Sequence, residues 1–304
     1  MVPRMKTRTH FLIICLMLTM ICPACLNASL VVSPTGEGNV RICSECRHPS
    51  PGEIVKISLQ SPVPVYATLS FDGREYIFTA ESDDNLQQFA LIALGVDVEP
   101  GVYGVVVHLE SLDGTRKDIP FKLAVSEKEF PSQKIQVARS FTSPSPAAVK
   151  RIKSDKEMLS RIYTVSTPDW LGDGGFIMPL SGGISGVFGA RRVFNRGFVS
   201  RHRGVDIRSP AGTSVKASNS GEVVLARNLY FSGDTVIIHH GIGLFSIYCH
   251  MSKTVVEEGV FVDKGETIGY TGSTGRSTGP HLHWGLRLAD TYADPLSIVY
   301  LSFD

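Results

Sequence analysis

The side chains able to hold a metal ion collect in one stretch of this chain. His202-Arg203-Gly204-Val205-Asp206 opens it, Tyr248-Cys249-His250-Met251 lies inside it, and Gly279-Pro280-His281-Leu282-His283-Trp284 closes it. Six of the nine histidines fall between residues 202 and 283, so the clustering belongs to this stretch and not to the composition. Zinc favours imidazole nitrogen and carboxylate oxygen, and a catalytic zinc takes three protein ligands and keeps one position for water. His202, Asp206 and one histidine of the His281/His283 pair would supply the three. A lone histidine is more often a satisfied core or surface residue than a ligand; the set, not any one member, carries the reading.

The elements that would position these groups are strands. Residues two and four apart on a strand point to the same face, which suits His281 with His283 and His202 with Asp206. A four-residue spacing also suits a helix, but Gly204, Val205, Ile207 and Pro210 favour an extended segment ending in a turn. Both pairs can then present neighbouring side chains on one sheet surface. Cys249 is expected to point away from His250, as adjacent strand residues do, and to be a buried core thiol.

His-x-x-x-Asp, then Tyr-Cys-His, then Gly-Pro-His-Leu-His-Trp, in order from about Phe176 to Leu288, resembles the lysostaphin-type zinc metallopeptidases, the LytM-like peptidoglycan endopeptidases. The resemblance implies one zinc ion per chain, with His202, Asp206 and His283 as ligands and His250 and His281 as the histidines flanking the catalytic water. Spacing alone does not choose between His281 and His283. No H-E-x-x-H helix is present, so a glutamate base of the thermolysin kind is unsupported. The implied activity is hydrolysis of peptide cross-links or stem peptides of bacterial peptidoglycan, with the bond left open between D-alanyl-diaminopimelate and a glycine bridge. The alternative is a non-catalytic regulator or activator of another cell-wall hydrolase that keeps the fold. Such members have usually lost metal ligands, and here the full set stands. A closed structural zinc site would not need two extra histidines.

At 304 residues the chain has room for two domains with real cores. Its formal net charge is +1, which provides no field for nucleic acid, and no nucleic-acid partner is expected. Residues 1–28 read as a signal peptide: Arg4, Lys6 and Arg8, then the apolar run Phe11–Ile21, then small residues, with cleavage after Ala28. Cys25 raises a lipoprotein alternative, although Cys22-Pro23-Ala24 lacks the usual aliphatic residue three positions back. Membrane attachment is expected only through an uncleaved signal or such a lipid anchor. An exported, periplasmic or envelope location follows, and an added β domain without wall-binding repeats leans toward the periplasm of a diderm.

The fold class is mainly β, in four parts: the signal peptide 1–28, an immunoglobulin-like β-sandwich over 29–126, a linker with one helix over 127–175, and a zinc peptidase domain over 176–304. Val55, Ile57 and Leu59 alternate with polar residues, and Asp72-Gly73 and Asp113-Gly114 read as hairpin turns. The sandwich is expected to position or restrain the peptidase, or to recruit a cell-wall or divisome regulator. His48 and His108 read as structural or surface residues. Cys43-Ser44-Glu45-Cys46 has no second pair to make a zinc site and reads as a local disulfide or two idle thiols. Ser145 and Pro146 are placed to cap and start a helix, whose basic residues read as a solvated face. Asp169 or Asp173, in the joint after it, could donate an oxygen that keeps the metal latent. In the last domain an antiparallel sheet is expected to curl into a partly open barrel or sandwich. One of Arg191, Arg192 and Arg196 is a candidate for a stem-peptide carboxylate, against plain surface charge. His239 and His240 precede a glycine turn and are left out of the chemistry. The small polar loop Gly272–Pro280, running into His281, is expected to line the groove.

Overall fold

Alternation of apolar side chains builds the N-terminal half. The computed structural model describes residues 31–35, 38–81, 84–195 and 197–303; the stretch 1–28 read as a signal peptide, with Cys15, Cys22 and Cys25, and Arg196 lie outside the described residues. One sheet runs Val31–Thr35, Gly38–Glu45, Ile54–Gln60, Gln87–Ala93, Thr79–Ala80, and the second Arg74–Ile77, Val65–Phe71, Gly101–Ser111, Arg116–Val125. Val55, Ile57, Leu59 and Ile92 of the first sheet meet Leu69, Val105, Val107 and Ile119 of the second in one core. At Asp72-Gly73 both residues have positive φ (49° and 72°), and Phe71 pairs with Arg74, the two-residue hairpin the dipeptide predicts. Strands Gly101–Ser111 and Arg116–Val125 form the second hairpin, with Gly114 at φ 83°. His108 is structural, bridging Ser70 Oγ at 2.8 Å and Asp118 at 2.7 Å. Cys43 and Cys46 are free thiols, and burial pushes Cys46 up to about 12.

The first sheet is buried on both faces. Ile54, Phe89, Leu91 and Ala93 point away from the sandwich core and pack on Phe176, Leu244, Leu286, Leu288 and Phe303 of the C-terminal half. Each fully buried side chain of this size contributes roughly 1.5–3 kcal/mol. Glu53, only 1% exposed, is held by Arg47 and Lys128, and Arg47 also reaches Asp294 at 2.9 Å. The two halves are thereby joined through apolar and ionic contacts.

The segment between them is bound to the C-terminal half along its length. Ser132–Ile135 pairs in parallel with Arg191–Phe194, which turns back into Phe198–Arg201. Helix Pro146–Ile162 is capped by the Ser145 hydroxyl, which accepts from Ala148 N–H at 3.3 Å. Its Met158, Leu159 and Ile162 cover Leu225, Ile237, Phe245 and Cys249. Trp170 bridges to Gly241, Asp173 lies 3.7 Å from Lys264, and neither Asp169 nor Asp173 lines the cleft that holds the histidines. No helix among the described residues is long and apolar enough to cross a membrane.

In the C-terminal half the sheet order is Ile184–Gly186, Gly204–Arg208, His281–Leu288, Leu244–Thr254, Gly233–His239, Gly221–Leu229, Phe261–Val262. The pair Ser214–Lys216 and Thr267–Thr271 branches from Leu244–Thr254 and folds over a core of Val205, Ile207, Val236, Tyr248, Leu282 and Trp284. Every pairing in this sheet is antiparallel, and its path stays open at both ends.

Candidate metal centre

The site lies on two neighbouring central strands. Gly204–Arg208 pairs with His281–Leu288 so that Asp206 stands opposite His283 and Arg208 opposite His281. Val205, Ile207, Leu282 and Trp284 turn to the core, so alternation sends Asp206, His281 and His283 together to the other face. His202 precedes the strand, and its main chain is tied to Ala190 and Gly189 at 2.9 Å.

Three donor atoms converge. His202 Nε2 is 3.1 Å from Asp206 Oδ1 and 3.0 Å from His283 Nδ1, and the last two are 3.0 Å apart. Nδ1 of His202 donates to the Val187 carbonyl at 2.8 Å, which leaves a lone pair on Nε2. A proton on either facing nitrogen would donate to Asp206 Oδ1, and with both nitrogens unprotonated the three acceptors call for a cation among them. Bonds of about 2.0–2.1 Å from one tetrahedral zinc ion would set such donors roughly 3.3–3.4 Å apart. The donor set and its size therefore fit zinc, and among the described residues no other trio of metal-binding groups gathers in this way.

Protonation agrees with ligation. Burial, and then the neighbouring His283, hold His202 down to about 4, so it is a neutral imidazole at neutral pH. Burial opposes ionisation of Asp206, but the facing His202 and His283 outweigh it and hold the carboxyl well below the usual carboxylate range. The outer oxygen, Oδ2, is bonded by Arg192. Two glycines make the room: a Cβ on Gly186 would collide with Asp206 Oδ2, and one on Gly204 would lie 2.9 Å from the His283 ring and against the Trp284 carbonyl.

His250 reaches the site through a departure from strand geometry. Its φ is +63°, and the pairing of Leu244–Thr254 shifts register on either side of it. A left-handed backbone at a non-glycine residue costs about 1–2 kcal/mol. The bend turns the ring to within 5.0 Å of His281 and 6.0 Å of His283, centroid to centroid. The expected opposition of Cys249 and His250 fails here, because both border the cleft. Cys249 is nevertheless the buried core thiol expected, pushed up to about 12 by burial. Nδ1 of His250 donates to the Thr274 carbonyl and Nδ1 of His281 to the Gly279 carbonyl, each at 2.8 Å, so both present Nε2 with its lone pair free. Burial, then the neighbouring His283 and His281, keep His250 neutral down to about 3. His281 Nε2 lies 3.7 Å from Asp206 Oδ1.

The remaining candidates divide. His240 is fully buried, bonded to the Ser220 carbonyl and the Ser246 hydroxyl at 2.7 Å each, and His239 stacks on Phe245, so both stay outside the chemistry. Of the three arginines proposed for a carboxylate, Arg192 is engaged by Asp206, Arg191 is exposed on the surface, and Arg196 lies outside the described residues. The residue missed is Arg276, on the same cleft. Its signal was available: it is the one charged side chain in the small polar loop that runs into His281. The cleft, about 1120 Å³, has the five site residues on its floor, and Arg74, Asp97 and Tyr103 of the N-terminal sandwich among its walls.

A trio of two imidazoles and a carboxylate, flanked by two further imidazoles with free Nε2 atoms and open to a cleft, is the equipment of a hydrolytic metal centre. Residues 200–295 match the family model of Peptidase family M23, and the C-terminal half carries a metallopeptidase domain of that LytM-like family. The peptidoglycan DD-endopeptidase ShyA of Vibrio cholerae is 46% identical over 29% of this chain and 20% of its own length. The DD-carboxypeptidase/endopeptidase Mpg of Neisseria meningitidis is 41% identical over 32% of this chain and 22% of its own. The matched segments thus span about a fifth of these curated relatives. A crystal structure from Pseudomonas aeruginosa assigned to peptidase M23 superposes with a TM-score of 0.63 at 25% identity, covering 85% of this chain and 97% of that one. The likeness in fold extends well beyond the peptidase domain.

Proposed function

We propose that this protein is an exported, zinc-dependent endopeptidase of the cell envelope that hydrolyses peptide cross-links or stem peptides of bacterial peptidoglycan. The observation that carries the reading is the convergence of His202, Asp206 and His283 within 3.1 Å of one another, beside two histidines whose Nε2 atoms are free. The two relatives named for peptidoglycan peptidase activities support the substrate class.

His202 Nε2, Asp206 Oδ1 and His283 Nδ1 would hold the ion. Zinc bound by such a set polarises a carbonyl and brings the pKa of water to near 7. His250 and His281, fixed through Nδ1, can each accept a proton at Nε2 from the attacking water. Once protonated, either imidazole can donate to the developing oxyanion or to the leaving amine. Tethering to main-chain carbonyls keeps these rings from turning, so no reorganisation accompanies the proton transfer. A regulator that has kept only the fold would have no use for this set, and no member of it is missing.

The test is zinc content together with digestion of purified, cross-linked peptidoglycan, read by mass spectrometry, with His283→Ala in parallel. One zinc per chain and new muropeptides that vanish in the variant are expected. Zinc without cleavage would point to a latent enzyme, tested next by removing the residues before Phe176, and neither zinc nor cleavage would move the protein to the regulatory class.

A further inference from the structure

Arg276 holds a positive charge on the cleft with no anion paired to it among the described residues. Its guanidinium carbon lies 4.4 Å from the ring centre of Phe194 and 4.7 Å from that of Phe231. The backbone N–H of Arg276 bonds the Phe231 carbonyl at 2.8 Å, which pins the loop at that residue. Several half-buried or buried cations are neutralised, Arg47 by Glu53 and Asp294, Lys56 by Glu81 and Arg192 by Asp206; Arg287, which also lies over two rings, gives its Nε–H to the Ala289 carbonyl and does not line the cleft. Among the described residues Arg276 forms no ion pair, and burial, together with the neighbouring charge of Arg192, works against its ionisation. Arg276 lines the same cleft as His250, His281 and Asp206.

A desolvated cation without a counter-ion costs free energy that an incoming anion recovers. Aromatic rings take up the π face of a guanidinium and leave its in-plane N–H edge for paired hydrogen bonds, the geometry a carboxylate matches. An arginine with these properties, in the loop that delivers His281, is placed to hold a carboxylate close to the bond being cut.

We propose that Arg276 is a carboxylate anchor for the substrate, so that the cleft selects peptides bearing a carboxylate beside the scissile amide. The inference rests on the peptidoglycan reading and narrows it. In a diaminopimelate cross-link the carbon that carries the scissile amide nitrogen also carries a carboxylate, whereas the inner amides of a glycine bridge have none. Cross-links of the diaminopimelate type are therefore the substrate, and glycine bridges are not.

The experiment uses the zinc-loaded full chain and three synthetic probes: a stem-peptide dimer cross-linked through diaminopimelate, the same dimer with its diaminopimelate carboxylates converted to amides, and pentaglycine. The wild type is expected to prefer the carboxylate dimer over the amidated one by about 10- to 100-fold in kcat/KM, the span of a charge-assisted bond, and to leave pentaglycine intact. In Arg276→Met, whose side chain still fills the space between the phenylalanines, the preference should collapse to within about threefold, chiefly through KM. Equal loss on both dimers would make Arg276 a structural clamp for the loop and overturn the proposal, as would wild-type indifference to amidation. Should no probe be cleaved, the peptidase reading fails by itself. Calorimetric binding of the two dimers then still decides the inference, because an anchor binds the carboxylate form about 10-fold or more tightly and a clamp binds both alike.

Discussion

A single methyl group at Gly186 should dismantle the ligand triangle. Gly186 sits on the edge strand beside Asp206, and a Cβ there would stand 2.7 Å from an Arg192 guanidinium nitrogen, 3.1 Å from Asp206 Cγ and closer still to Oδ2. Ordinary heavy-atom contact is about 3.5–4.0 Å, so the carboxylate must retreat by about 1 Å. It has nowhere to go without leaving the 3.0 Å and 3.1 Å contacts with His283 and His202. Misplacement by that distance costs on the order of 100-fold in rate, and disturbing the groups that orient a ligand costs about 10- to 100-fold in metal affinity. Gly186→Ala should therefore raise the zinc dissociation constant about 10- to 100-fold in competition with a chromophoric chelator. Gly183→Ala, where a Cβ meets nothing within 4 Å, serves as the control and should leave affinity unchanged. Zinc affinity of Gly186→Ala within about twofold of wild type would show that Arg192 yields instead, and that packing does not hold Asp206 in the triangle.

Three further outcomes follow from the same geometry. His250→Ala and His281→Ala should each keep one zinc per chain and lose about 10²- to 10⁴-fold in turnover, whereas loss of the metal from either would make that residue a ligand. Glu53→Gln leaves Arg47 and Lys128 facing a buried neutral group between the halves; urea unfolding should show a loss of about 3–5 kcal/mol, and a change under 1 kcal/mol would mean the cluster is solvated in solution. Burial holds His240 down to about 4 against an ordinary 6.5, so the unfolded chain binds the extra proton between those values and stability falls as pH drops through that window. That slope is about 1.4 kcal/mol per pH unit for one group, and a stability profile in which His240→Gln keeps the wild-type slope would refute the assignment.

The parts of the fold written in local pattern were legible before any coordinates. Asp72-Gly73 is a turn because two positive φ values are tolerated there, and Ser145-Pro146 begins a helix because a hydroxyl and a fixed φ are what its first turn needs. The two-residue spacing of His281 and His283 was legible for the same reason, whereas the four-residue strand spacing of His202 and Asp206 does not hold, because His202 lies before the strand Gly204–Arg208 and is placed by main-chain bonds to Gly189 and Ala190. What escaped depends on partners far along the chain. Ile54 and Phe89 are buried by residues of the C-terminal half, which no local pattern announces. Ser132–Ile135 becomes a strand only beside Arg191–Phe194, which is more than fifty residues away. Arg192 looked free for substrate because nothing local says that Asp206 will stand against it.

The choice between His281 and His283 shows why spacing alone stops short. Both lie on one face of one strand, and what separates them is which nitrogen each ring can spare. His281 stands at the loop end of the strand, where the Gly279 carbonyl takes its Nδ1 proton and leaves Nε2 toward the cleft. His283 lies two residues deeper, opposite Asp206, with its ring packed over Gly204 so that Nδ1 meets the carboxylate. His202 and His250 resemble His281 in this respect, each giving Nδ1 to a main-chain carbonyl. Distance to the carboxylate, and not the tautomer alone, therefore separates the proposed ligands from the proposed base: His202 and His283 lie 3.1 Å and 3.0 Å from Asp206 Oδ1, close enough to share an ion with it. His281, at 3.7 Å, is left with a free lone pair for a proton.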